Sequence, residues 1–480
     1  MKLNALYSAV ALSLSLGCVA HADEMIQKAE QDINLTGNGA SINLGAVRMT
    51  IGGFLAAETG YSNRGQEADI TSSFSPIWQN NPAYYMSDYR MTARQSRLTM
   101  LFQGPHMDNG SRVESYWEGD FLGAAGTANS KESNSYTPRV RQLFVDYQTD
   151  EGFQLLAGQA WSLVTQDTKG ISARSENVPL TIDAQYVPGF NWTRNPQIRL
   201  VQNLGMFTVA ASAENPQALP TAYENNGTNL GPYGASGGSN NGITTSLPPG
   251  ALMNPNTTYS TDGLPDFVAK VAFEPGYGHY ELLALSRGFR DRINQNTSAG
   301  VAGGSNAQVR ANSVGGSLLI PVLPKVVDFQ ASFLTGQGIG RYDSSQLNDY
   351  TLSANGSPSA LKETSLLFGL VAHPMHGLDL YAYEGEQKVN NTDYYQTGTT
   401  YGGYGAPNCS ATAFTCNVSK VQQFTFGGWY KAYQGHMGYV ATGLQYSHTN
   451  YSTFANSAGQ APTSSMNVIM ASLRFYPFAM

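Results

Sequence analysis

Five basic residues stand in stretches where apolar residues recur at every second position. Arg97 precedes Leu98, Met100 and Phe102, Arg199 lies between Ile198 and Leu200, and Lys270 lies between Ala269 and Val271. Arg474 falls between Leu473 and Phe475, and Arg112 opens a run in which Val113, Trp117 and Phe121 mark one face. Side chains of an extended chain point alternately to two faces. An apolar medium on one face therefore sends Arg97, Arg112, Arg199, Lys270 and Arg474 to the other. Glu114, Glu118 and Asp120 share the face of Arg112. A wall of fixed guanidinium groups beside water concentrates anions, and each guanidinium can grip a carboxylate by two parallel hydrogen bonds. The acidic trio works the other way, by pairing with the arginines or, where it dominates, by favouring cations. This is the chemistry of solute selection rather than of bond cleavage. No G-x-S-x-G or H-E-x-x-H motif is present. His106, His279, His373, His376 and His436 fall in or beside short turns rather than at a shared site. No catalytic residue, metal site or cofactor is expected.

Those faces exist only if the segments are strands. Period-two alternation marks sixteen of them, at 47–60, 93–104, 111–122, 139–149, 152–163, 195–203, 205–214, 265–274, 278–289, 308–320, 326–335, 363–373, 377–387, 421–433, 437–448 and 466–478. The connectors alternate short and long. Short ones such as Asp150-Glu151, Leu204 and Pro275-Gly276-Tyr277 have turn composition. Long ones run over 61–92, 123–138, 164–194, 215–264, 290–307, 336–362, 388–420 and 449–465. Composition agrees. Of 480 residues only 13% are charged, 51 are Gly, and 28 Tyr, 20 Phe and 5 Trp are present; this excludes a disordered chain. The net charge of −7 excludes a basic nucleic-acid binder. The pattern predicts an all-β fold, a sixteen-stranded antiparallel transmembrane β-barrel with short periplasmic turns and long extracellular loops. A barrel of that size leaves an aqueous channel.

The remaining features refine this picture. Lys2, an apolar stretch over 3–20 and Ala20-His21-Ala22 read as a signal peptide over 1–22 cleaved after Ala22. Residues 23–44 form a short periplasmic lead-in and 45–480 the barrel. The third long connector, 164–194, is expected to fold into the pore, bringing Lys169 and Arg174 to a constriction together with Asp167, Glu176 and Asp183; the alternative is an external loop. Cys409 and Cys416 are placed to form a loop disulfide in an oxidising compartment. Arg139, Arg141, Arg287, Arg290 and Arg292 lie near the outer strand ends, as a mouth patch or a lipopolysaccharide contact. Trp161 and Trp429 are assigned to interfacial girdles.

The same segments resemble the DcaP-type trimeric porins of Gram-negative bacteria. The resemblance is carried by Ser96-Arg97-Leu98, Tyr116-Trp117-Glu118-Gly119-Asp120-Phe121, the run Arg139 to Tyr147, Leu156 to Ser162, and Arg474-Phe475-Tyr476-Pro477-Phe478. It implies a homotrimer of sixteen-stranded barrels in the outer membrane and passive uptake of small anions, with dicarboxylates and aromatic acids as solutes. Members carry a longer N-terminal helical segment than Asp23–Ile33 provides, so a trimeric stalk is not expected. The aromatic-rich last strand implies handling by the barrel assembly machinery. The expected function is an outer-membrane porin for small hydrophilic solutes, preferring small organic anions. The alternatives are a general or cation-preferring porin, or a plugged barrel acting as a receptor or structural protein.

Overall fold

The computed structural model describes residues 40–477, apart from all or parts of 66–75, 124–136, 220–261, 294–304, 353–356, 391–415 and residue 457. Sixteen antiparallel strands form the wall: β1 (Val47–Ser62), β2 (Asp88–Thr92 continued by Arg97–Gln103), β3 (Arg112–Gly123), β4 (Thr137–Gln148), β5 (Phe153–Trp161), β6 (Arg194–Asn203), β7 (Phe207–Glu214), β8 (Asp266–Phe273), β9 (His279–Ile293), β10 (Ser305–Leu323), β11 (Val327–Gln337), β12 (Lys362–Met375), β13 (Leu378–Val389), β14 (Val418–Gly435), β15 (Gly438–Thr453) and β16 (Thr463–Tyr476). Each strand pairs with its neighbours in sequence. The sheet closes when β16 pairs with β1, from Leu55↔Phe475 to Ser62↔Val468. Closure leaves no free edge, which is the condition for spanning a bilayer with strands. Each of the sixteen segments expected from alternation is a wall strand.

Outward and inward positions separate by exposure. On β6, Ile198 and Leu200 are 59% and 48% exposed, while Gln197 and Arg199, which alternate with them, are 5% and 2%. Leu98, Leu143, Phe267, Leu282, Phe368, Phe426, Leu444 and Leu473 continue the exposed apolar belt around the wall. In water such a belt would be an aggregation surface; in lipid it is the solvated face. At the short-turn end, Phe207 stacks on Phe273 at 4.8 Å and Tyr439 on Tyr476 at 4.3 Å, as in an interfacial girdle.

Four details depart from the sequence reading. Residues Ala40–Leu44 form a strand hairpinned to β1 through Ala40↔Ile51 to Leu44↔Val47, so the sheet begins inside the expected lead-in. The strand expected at 93–104 begins earlier and is broken at 93–96. Trp161 and Trp429 point inward, not to a girdle. Trp161 is 3% exposed against Phe190, and Trp429 Nε1 donates to Leu180 O at 2.7 Å. Finally, the interior of the barrel holds an apolar core. Leu163, Val164 and Ile171 pack on inward Val201, Val268, Leu285 and Leu334, and Val187 and Phe190 pack on Leu367, Tyr381 and Tyr383. Cys416 is disulfide-bonded; Cys409, the signal peptide with Ala22, and Phe478 lie outside the described residues.

Candidate functional site

Three irregularities in an otherwise regular barrel build one site. The first is the break in β2. At 93–96 the ladder to β1 lapses, and the Ser96 hydroxyl takes the Ala56 N–H at 3.0 Å in place of a carbonyl. The break turns Gln95 inward. The second is a bulge on β4. Glu118 pairs with Gln142 and Gly119 with Val140, so Arg141 is the extra residue. A bulge resets the alternation, and Arg141 and Gln142 both face inward, 4% and 3% exposed. The third is the connector 162–193, which lies inside the barrel. Its backbone and side chains bond to β8 and β9 at Lys270 and Glu281, to β13 at Tyr383, to β14 at Thr425 and to β15 at Gln445. A segment that touches strands so far around the wall must run through the lumen.

The connector tip docks where β2 breaks. Asp183 accepts from Gln95 Nε2 at 2.8 Å. Arg474 Nη2 gathers Ile182 O at 2.6 Å, Gln95 Oε1 at 2.8 Å and Glu58 Oε1 at 2.7 Å. A cavity of about 260 Å³ lies between β2–β5 with Arg474 of β16 on one side and the connector on the other. Arg97, Glu118, Arg141, Arg174, Glu176, Asp183 and Arg474 supply its charges. Arg141 is fully engaged, to Glu118 and to Asp120 at 3.1 Å. Arg97 is held more loosely, 3.8 Å from Glu118, and its buried Nε has no partner among the described residues. Arg194 stacks at 4.6 Å on Trp161 and 4.9 Å on Trp192, both cavity-lining, and makes no ion pair among the described residues. Arg174 lies 5.2 Å over Tyr116 with φ of 72°, a left-handed backbone that costs about 1 kcal/mol in a residue with a Cβ. On the connector, burial pushes Glu176 up to about 7, assisted by the Asp167 carboxylate, and burial also raises Asp183. Both shifts weaken the negative side of the balance.

The expected site residues divide by what covers them. Arg97, Glu118, Arg174 and Arg474 line the cavity. Lys270 and Arg199 face inward as parity requires but are not open to solutes. Lys270 is 2% exposed and bonded to Asp167 at 2.7 Å and Glu281 at 2.8 Å. Arg199 donates to Gln197 at 3.0 Å and to Trp161 O. The connector lies over this part of the wall, and Lys270 anchors it through Thr165 O and Asp167, while Arg199 ties β6 to the end of β5. Arg112 sits at the short-turn end of β3, donating to Gln148 at 2.8 Å beside Glu114 at 3.3 Å. Glu114 also accepts from Gln103, and Asp120 holds Arg139 at 2.6 Å as well as Arg141. Lys169 is exposed but not part of the cavity lining. The bulge brings Arg139 and Arg141 to the inner face, where both pair with Asp120. Arg287 is buried too. Sequence reasoning missed Arg141 in the cavity wall and Arg194 stacked on two of the lining tryptophans. Arg194 stands between Thr193 and Asn195 and shares its parity with Trp192, so alternation offered no apolar contrast there, and the bulge beneath Arg141 left none either.

No family model and no curated protein matches the chain. Solved structures share its fold. It is similar to the outer-membrane channel DcaP of Acinetobacter baumannii with a TM-score of 0.61 at 17% identity, over 90% of this chain and 99% of that one. Weaker likenesses are to Salmonella typhi OmpF, with a TM-score of 0.49 at 9% identity over 91% of this chain and 100% of that one, and to OmpT of Vibrio cholerae, with 0.45 at 11% identity over 90% and 98%.

Proposed function

We propose that this protein is a diffusion channel of the bacterial outer membrane that passes small hydrophilic solutes and prefers small organic anions, dicarboxylates among them. The observation that carries the preference is the charge of the cavity. Of its four arginines, Arg141 and Arg474 are held by Glu118, Asp120 and Glu58, which leaves Arg97 and Arg174 opposite Glu176 and Asp183, two carboxyls whose pKa values are raised. Arg97 adds a guanidinium with an unfilled donor. Two unit charges 4 Å apart interact by about 4 kcal/mol at the effective dielectric of a protein surface, so one surplus guanidinium in a narrow section suffices to bias passage. Aromatic faces at Tyr116, Trp161 and Trp192 give a planar acid something to slide along. Supporting the reading is the likeness in fold to a solved outer-membrane channel. Export through the signal peptide, assembly as a homotrimer, handling by the barrel assembly machinery and contact with lipopolysaccharide belong to the same proposal.

The test is the reversal potential in a planar bilayer under a potassium chloride gradient. Wild type should favour chloride, and Arg97→Ala and Arg174→Ala should each move the potential towards the cation side. Lys270→Met is the comparison: its charge is sealed off, so selectivity should hold even if stability falls. A cation-preferring wild type, unmoved by the two arginine changes, would replace the anion reading with a general porin.

A further inference from the structure

A second connector also folds into the barrel. Between β11 and β12, Ile339, Tyr342, Asp343, Ser344 and Asp349 are all no more than 1% exposed. None of them touches the cavity described above. The segment packs instead against the far side of the first connector. Asp343 Oδ2 accepts from Gly189 N at 2.8 Å, Ser344 N donates to Phe190 O at 2.9 Å, and Ser344 Oγ donates to Val187 O at 2.6 Å. Phe190 in turn meets Trp161 at 5.6 Å and Trp192 at 6.5 Å, which line the cavity.

One guanidinium holds the second connector in place. Arg287, on β9, is 1% exposed. Its Nε donates to Asp266 Oδ2 at 3.0 Å, on β8. Its Nη1 reaches both ends of the connector, Gly338 O and Asp349 Oδ1 at 2.6 Å. Its Nη2 donates to Gln217 O at 2.6 Å. Asp349 passes the constraint on, accepting Leu219 N at 2.7 Å and Arg341 N at 3.0 Å. The planar fork of arginine meets this many fixed acceptors; an ammonium would not.

We propose that Arg287 is a positioning residue for the channel. Through the 338–349 connector it braces the 187–190 segment from behind and so fixes how wide the passage beside Trp161 and Trp192 stands. The role lies on the side of the lumen away from solute and rests on the porin reading above.

Two variants test it, Arg287→Gln and Asp343→Ala, each checked for a folded barrel by heat-modifiable gel migration. Release of the brace should raise unit conductance roughly twofold, since conductance follows the area of the narrowest section. It should also let larger sugars into proteoliposomes in a swelling assay. The pair separates bracing from charge. One variant removes a cation and the other an anion, so an electrostatic effect would move selectivity in opposite directions, whereas a lost brace widens the passage in both. Should Arg287→Gln fail to fold, Asp343→Ala carries the same expectation. Folded variants with wild-type conductance and size limit would overturn the proposal alone. A wild type that does not conduct would overturn the porin reading and this inference with it.

Discussion

Replacing Arg141 would strip Glu118 of its close partner and leave Asp120 with Arg139 only. Breaking a buried ion pair by removing one member costs about 3–5 kcal/mol. Because Arg97 and Arg139 remain nearby, Arg141→Ala should sit near the low end, about 3 kcal/mol, read as a lowered urea midpoint in detergent. Glu176 makes the matching prediction for pH. Its carboxyl is held near 7 by burial and by Asp167. Below that pH it is neutral and the cavity is at its most positive; as the pH rises through about 7 it ionises and cancels part of the arginine charge. Anion preference in a bilayer should therefore fall on going from mildly acidic to mildly alkaline buffer. Glu176→Gln should keep the acidic-side preference at both. Equal pH dependence in wild type and variant would remove Glu176 from the explanation.

At the scale of elements, the 162–193 connector is shaped by the wall it lies on. A Cβ on Gly385 of β13 would stand 1.7 Å from Pro188 O, and backbone cannot move aside cheaply. Gly385→Ala should therefore push the connector off β13 while leaving the hydrogen-bond ladder intact. Overpacking of this kind costs about 1–3 kcal/mol, measurable as a lower unfolding midpoint with unchanged strand content by circular dichroism. The wall strands themselves were legible because one face must be apolar for lipid. The infolding of 338–349 was not read, although a signal existed. In β8, β9 and β12, stretches such as Phe267-Val268-Ala269, Leu282-Leu283-Ala284-Leu285 and Leu366-Leu367-Phe368 are apolar on both faces. A strand that borders open water needs only one apolar face; a strand apolar on both is covered on both. Those runs marked the half of the lumen that the connectors fill.

For the molecule as a whole, the closed sheet and its apolar belt require a membrane or detergent. If the homotrimer is right, the folded protein should migrate on a gel as an SDS-resistant oligomer and collapse to a denatured monomer band only on boiling. A species that runs as a monomer before heating would remove the trimer while leaving the barrel. The connectors pack against the wall from β6 round to β16, and the cavity lies against β2–β5. On the proposed channel reading, selectivity then belongs to a few residues of four strands rather than to the whole lumen wall.

Alternation of apolar and polar residues by itself determined the strand number, the short–long rhythm of the connectors and the inward direction of Arg97, Arg199, Lys270 and Arg474. A period of two is a local property, imposed residue by residue by the contrast between lipid and water. Which inward cations line the cavity and which are covered was decided only in three dimensions. Lys270 and Arg199 are covered because a connector from elsewhere in the chain lies on them. Arg141 is turned to the cavity side because one extra residue shifts its strand by half a period. Both depend on contacts between segments far apart in sequence, and no local pattern encodes them.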